Sequence, residues 1–299
     1  MTHIVEVVGL SKMFGTLTAL DGLTFTVRPG RVTGFLGPNG AGKTTTLRCL
    51  LGLLTPTAGS ATIGGRAYRD LDDPLGTVGA ALESSGFHPG RSARAHLEAV
   101  ALAGGVNPSR VTTLLAMVGL TEVADRRVGG FSLGMRQRLA LAQALLGDPA
   151  VLLLDEPANG LDPAGIAWLR TFLRSLAAEG RTVLVSSHVL SEVEQTVDEV
   201  VVVSHGRLVR QGTLAELGAG SRAVLVRTPH PQALRDALPG QPVEQLPDGR
   251  LRVSGSTTEG VGHALYLAGV EVHELVAEAG DLERLFLDLT AEQPATVAS

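Results

Sequence analysis

The spacing of apolar residues changes period along the chain, and each change marks an element. Residues 4–8 and 23–27 alternate apolar with polar positions, the two-residue period of a half-buried strand. Residues 31–36 form a short apolar run closed by Gly37, and helical spacing follows over 43–53. Strand, glycine-rich loop and helix thus succeed one another. Helical spacing returns over 92–104, 108–118 and 132–147, the last with Ser132 placed as an N-cap. Val151 to Leu154 reads as a buried strand. Over 163–179, Ile166, Leu169, Phe172, Leu173 and Leu176 share one face, and Pro163 suits a first turn. A strand over 182–186, a helix near 189–196 and a strand over 199–203 complete the series. Strands alternating with helices predict a mostly parallel sheet with helices on both faces, an α/β fold.

After about residue 217 the pattern changes. Residues 223–228 read as a strand and 231–238 as a helix. Segments 242–246 and 250–254 flank Asp248-Gly249, a hairpin signal. Residues 257–268 read as helix, 270–276 as extended and 281–289 as helix. The order β-α-β-β-α-β suggests a small α+β unit, ferredoxin-like, with an added helix. The expected organisation is a domain over 1–217, an accessory domain over 218–290 and a flexible tail over 291–299.

Composition removes several classes. Of 299 residues, 44% are hydrophobic, enough for a sizeable core and against a wholly disordered chain. The mean hydropathy of +0.22 makes a membrane span the next question. A spanning helix needs about 20 largely apolar residues. The longest charge-free run, Cys49 to Gly65, is shorter and broken by Gly52, Pro56 and Gly59, so no span is expected. The first ten residues lack the basic and apolar regions of a secretory signal. A single cysteine, Cys49, forbids an internal disulfide and fits a reducing cytoplasm. A net charge of −5 argues against nucleic acid as partner. Seven of the eight histidines, all but His188, show no metal-ligand spacing. Only Lys12 and Lys43 are lysines among 25 basic residues, the rest being arginine.

Lysine 43 falls in the strongest signal. Gly37-Pro38-Asn39-Gly40-Ala41-Gly42-Lys43-Thr44, followed by Thr45, fits G-x-x-x-x-G-K-[ST] between a strand and a helix. Glycines let backbone amides turn inward around phosphate oxygens. The helix that follows points its positive end at the same oxygens. Lys43 supplies a mobile cation for β- and γ-phosphates, and Thr44 a hydroxyl for Mg²⁺. The second signal is the apolar run Val151 to Leu154 ending in Asp155-Glu156. At a strand's end both carboxylates reach one ligand. Asp155 suits Mg²⁺ held through water, and Glu156 suits polarising an attacking water, the needs of phosphoryl transfer.

With these residues placed, residues 4 to about 215 resemble the ATP-binding subunits of ABC transporters, which implies a RecA-like parallel core with a helical subdomain at about 84–147. Lys12-Met13-Phe14-Gly15 looks like the A-loop, with Phe14 stacking on adenine. The run from Phe131 through Ser132, Leu133, Gly134 and Met135 to Arg138 lies where the family signature LSGGQ-x-R lies. In that resemblance Ser132 and the amide of Gly134 contact the γ-phosphate on the opposite subunit. The segment Ala158 to Asp162 resembles the D-loop, which crosses the dimer interface, and His188 resembles the switch histidine that contacts γ-phosphate and supports Glu156. Two departures stand out. The signature reads S-L-G-M rather than S-G-G-Q, similar to bacitracin-type export ATPases. Glu83 aligns where a glutamine is usual and is an oxygen donor toward Mg²⁺.

The resemblance implies an ATP hydrolase that uses ATP and Mg²⁺, forms an ATP-dependent homodimer, and drives a separate integral-membrane permease from the cytoplasmic face. Residues 83–100 would carry the groove for that partner. The C-terminal unit and the ending over 280–290 resemble antibiotic, lipid or daunorubicin-type export subunits. The alternative is a soluble ABC ATPase acting on ribosomes or DNA. A module that has lost catalysis is a third reading, opposed by the presence of Lys43, Glu156 and His188. The C-terminal unit is expected to be either a stabilising cap or a dimer-contact or regulatory element.

Overall fold

A computed structural model describes residues 3–82, 86–190, 195–218 and 223–278. The chain divides between Leu214 and Ala215 into two compact units. In the first, β1 (Val5–Phe14) and β2 (Leu17–Val27) form a hairpin, followed by β3 (Arg31–Leu36), α1 (Lys43–Leu50), β4 (Ala58–Ile63), α2 (Pro74–Thr77) and β5 (Val78–Ala81). Next come α3 (Ala93–Ala103), α4 (Ser109–Met117) and α5 (Leu133–Ala144), then β6 (Val151–Asp155), α6 (Pro163–Ala178), β7 (Thr182–Ser187), β8 (Glu199–Ser204) and β9 (Arg207–Thr213).

Two sheets result. One is antiparallel in the order β2-β1-β4. The other runs β5-β6-β7-β3-β8-β9, parallel except for β9. Strands β6, β7 and β8 are buried at every residue, which is why they read as continuous apolar runs: both faces of a parallel sheet are covered. Helix α6 buries Leu169, Phe172, Leu173 and Leu176, the predicted face, and packs on β3 and β7. Ile166 of that face is half-buried.

Register positions the site. Leu36 pairs with Ser187 and Asp155 with Ser186, so β3, β6 and β7 end at one level. The loops leaving those carboxyl ends meet in one place, where open α/β sheets bind ligands.

The structure adds β4, β5 and β9, none of which the pattern predicts. It lengthens β1 and β2, ends α1 at Leu50 rather than 53, and ends α5 at Ala144 rather than 147. Half of the helix expected near 189–196 falls on 191–194, outside the described residues. The helix expected over 281–289 and the tail from 291 also lie outside them.

The second unit holds β10 (Ala223–Arg227), α7 (Pro231–Ala237), β11 (Val243–Gln245), β12 (Leu251–Ser254), α8 (Thr258–Leu267) and β13 (Glu274–Ala277). The β-α-β-β-α-β order is present, in an antiparallel sheet ordered β11-β12-β10-β13. Gly249, at φ +83°, makes the turn of the predicted hairpin. Val224 and Val226 of β10 join Leu234, Leu251, Val253, Val261 and Leu265 in one core.

Cys49 lies on the buried side of α1 within the main apolar cluster. Burial pushes its thiol pKa up, against a smaller downward pull from Lys12. It is therefore held as a neutral thiol, an inert core residue. Cys49→Ser is expected to lower stability by about 1–2 kcal/mol, the cost of burying a hydroxyl poorly paired. ATP turnover in reducing buffer should be unchanged. Thermal melts beside phosphate-release assays check both, and lost turnover in a folded variant would overturn the structural role.

Candidate active site

The loop after β3 is built by close approach. A Cβ on Gly37 would meet the Val203 carbonyl oxygen at 2.3 Å, so the end of β8 leaves room for glycine alone. Gly40 and Gly42 take φ +80° and +101°, and Gly42 caps α1 with no side-chain bond to its first amides. Those amides and the helix dipole make an anion site. Lys43, 7% exposed, donates from Nζ to the carbonyl oxygens of Gly37 (2.6 Å) and Pro38 (3.2 Å). The same Nζ stands 3.6 Å from Glu156 Oε1.

The two carboxylates at the end of β6 do different things. Asp155 Oδ2 accepts from Thr44 Oγ1 at 2.8 Å, and its Oδ1 accepts from Ser186 Oγ at 2.5 Å. Ser186 Oγ in turn accepts from the Glu156 amide at 2.9 Å. Ser186 thus holds both acids in place. Sequence reading took it only as the end of an apolar strand; the signal lies in its pairing opposite Asp155. Glu156 sits at φ +50°, a left-handed conformation that a non-glycine residue adopts at a cost. That turn brings its carboxylate back over the loop, where Oε2 meets His188 Nδ1 at 2.9 Å.

Around these groups lies a cleft of about 640 Å³, in the range of small-ligand sites. Residues 39–45, Glu156 and His188 line it, together with Phe14. Phe14 stands at the tip of the β1–β2 hairpin, 45% exposed. Lys12 Nζ lies 5.2 Å over its ring and is anchored to the Thr55 carbonyl oxygen at 2.7 Å. Leu17, Thr18 and Ala19, which carry no motif signal, complete the wall with Asn159 of the D-loop segment.

The family model for the ABC transporter matches residues 20–159. The bacitracin transport ATP-binding protein BcrA of Bacillus licheniformis is 43% identical over 214 residues, covering 71% of this chain and 70% of that protein. The chain belongs to the ABC transporter family. It is one of that family's ATP-binding, ATP-hydrolysing subunits. A Nod factor export ATP-binding protein of Paraburkholderia xenovorans (strain LB400) is 35% identical over 303 residues, covering 95% of this chain and 96% of that protein. A solved ATP-binding subunit of an ABC transporter superposes with a TM-score of 0.65 at 29% identity, covering 72% of this chain and 92% of that one. A domain family of unknown function matches residues 222–283.

Ser132, Gly134 and Asp162 of the remaining family motifs of this ABC subunit are not among the cleft-lining residues. Ser132 caps α5, its Oγ accepting from the Met135 amide at 3.2 Å, and Gly134 follows in the first turn. Asp162 caps α6, its Oδ1 accepting from the Gly165 amide at 2.8 Å. Both caps are exposed. Glu83 lies outside the described residues. Trp168 is a packing residue, stacked on Phe172 at 5.0 Å and covered by the Arg138 guanidinium at 4.2 Å.

Proposed function

We propose that this subunit hydrolyses ATP to power a separate integral-membrane permease, working as an ATP-dependent homodimer at the cytoplasmic face of the membrane. The observation that carries the reading is the convergence of Lys43, Glu156 and His188 on one phosphate-binding loop. In this reading the loop amides and Lys43 bind the phosphates and Phe14 stacks on adenine. Glu156 polarises the water that attacks the γ-phosphorus as the bridging P–O bond to the β-phosphate breaks. His188 holds the Glu156 carboxylate in line. Thr44 and Asp155, hydroxyl beside carboxylate, are the hard oxygen donors that fit Mg²⁺, with Glu83 as a further donor. When bound, Mg²⁺ neutralises charge on the β- and γ-oxygens.

The placement of the motifs supports the homodimer: Ser132, Gly134 and Asp162 do not line the cleft of their own chain, and in this reading a second copy brings them to its nucleotide. The permease is a separate partner because, among the described residues, no helix is long and apolar enough to cross a membrane. The relatives named for bacitracin transport and Nod factor export support an exporter of drugs, antibiotics or lipids. We read the second unit as a ferredoxin-like accessory domain, on its element order and strand arrangement.

The test is phosphate release by the purified chain. Turnover is expected with Mg²⁺ and should vanish with EDTA, while a polytopic membrane protein co-purifies from solubilised membranes. EDTA-insensitive hydrolysis would remove Thr44 and Asp155 from the metal role, and co-purification with ribosomes instead would remove the transport role.

A further inference from the structure

The signature's leucine, where the common form has glycine, does not simply face solvent. A Cβ on Gly160 would fall 2.1 Å from Leu133 Cδ2 and 2.5 Å from its Cγ, so the Leu133 side chain lies directly on the Gly160 backbone. The contact is reciprocated one residue on. A Cβ on Gly134 would meet Leu161 Cδ2 at 3.2 Å. Two leucine–glycine pairs therefore interlock the first turn of α5 with the segment between β6 and α6.

That segment is held by its own hydrogen bonds. The Asn159 amide donates to the Glu156 carbonyl at 3.1 Å, and the Leu161 amide donates to the Ala158 carbonyl at 3.1 Å. Gly160 is thus linked to Glu156 through successive hydrogen-bonded turns, and the Asp162 cap fixes the other end to α6. Leu133 is itself fixed, as the first residue of α5 behind the Ser132 cap. It remains 56% exposed, so core burial is not its main contribution.

We infer that Leu133 is a positioning residue. Through Gly160 it ties the Ser132–Gly134 turn, which serves the partner's ATP, to the Glu156 turn, which serves its own. The inference rests on the ATPase-dimer reading above. Movement of α5 on engaging the partner's γ-phosphate is then passed to the D-loop and to the placement of Glu156. With glycine at 133 no Leu133 side chain would sit on Gly160, and of the two pairs only Leu161 against Gly134 would still join the turns.

The test is a four-variant cycle read by kcat, KM for ATP, the Hill coefficient and the melting temperature. Gly160→Ala drives a methyl into Leu133 and should lower kcat about tenfold or more, with KM nearly unchanged, as sub-ångström misplacement of a catalytic group does. Leu133→Gly should lower kcat and the Hill coefficient with little change in melting temperature, and Leu133→Met should retain both. The double variant Leu133→Gly/Gly160→Ala removes the clash while keeping the strain of alanine at φ +75°. Its kcat should rise above that of Gly160→Ala toward that of Leu133→Gly, short of it only by what the retained strain costs, the non-additivity of residues in contact. Losses that multiply in the double variant would overturn the inference. If Gly160→Ala has no melting transition, equal kcat in Leu133→Gly and Leu133→Met does so instead. A native chain that turns over no ATP would overturn the ATPase reading and this inference with it.

Discussion

Glu156→Gln is expected to bind ATP as tightly as the native chain and to hydrolyse it more slowly by about 10²-fold or more, the usual loss when a general base is removed. The geometry separates the two effects. Glu156 Oε1 stands 3.6 Å from Lys43 Nζ, so the carboxylate competes with phosphate for that cation. Glutamine has the same shape, keeps an oxygen that can accept from His188, and gives up the competition. The phosphate loop, Thr44 and Asp155 are untouched, so binding holds while the water loses its proton acceptor. ATP that is not consumed keeps the two halves together. The variant should run as a dimer with ATP and as a monomer without it, in light scattering after size exclusion. Normal hydrolysis would take Glu156 out of catalysis. An inactive variant that stays monomeric at saturating ATP would count against the shared-site dimer and the roles of Ser132 and Gly134.

The parts legible in the sequence are those fixed by local chemistry. The strand–loop–helix context identifies residues 37–45 because glycine, lysine and threonine must stand at fixed offsets around phosphate. Strands β6, β7 and β8 are legible because both their faces are buried. Strand β9 has no buried residue, and β4 buries only Ile63, so neither shows a period. Strand β5 is four small residues whose Gly79 lies against α5: a Cβ there would meet the Ala144 carbonyl oxygen at 2.0 Å. Ser186 and the Leu133–Gly160 contact were illegible for another reason. Each acquires its role from a residue far along the chain, which only the folded register supplies. His188 reaches Glu156 across 32 positions, and it is the resemblance, together with its place at a strand end, that points to it.

Lys43→Ala should raise the dissociation constant for ATP by about 10²–10⁴-fold, the loss of two charge-assisted bonds at about 1.5–3 kcal/mol net each. Two changes act together. The phosphates lose the cation that now rests on the carbonyls of Gly37 and Pro38. Glu156, 9% exposed, also loses the cation 3.6 Å away that stands between it and the incoming γ-phosphate. Arginine should not rescue binding. The chain uses arginine at all but two of its 25 basic positions, yet the Lys43 ammonium sits 7% exposed, where a compact charge on a slim stem fits and a planar fork does not. Calorimetric titration of the native chain, Lys43→Ala and Lys43→Arg, each with an intact melting transition, measures this. Native ATP affinity in the alanine variant would show that the loop amides alone hold the phosphates. Native turnover in the arginine variant would show that charge, not the shape of the pocket, is what the loop requires at this position.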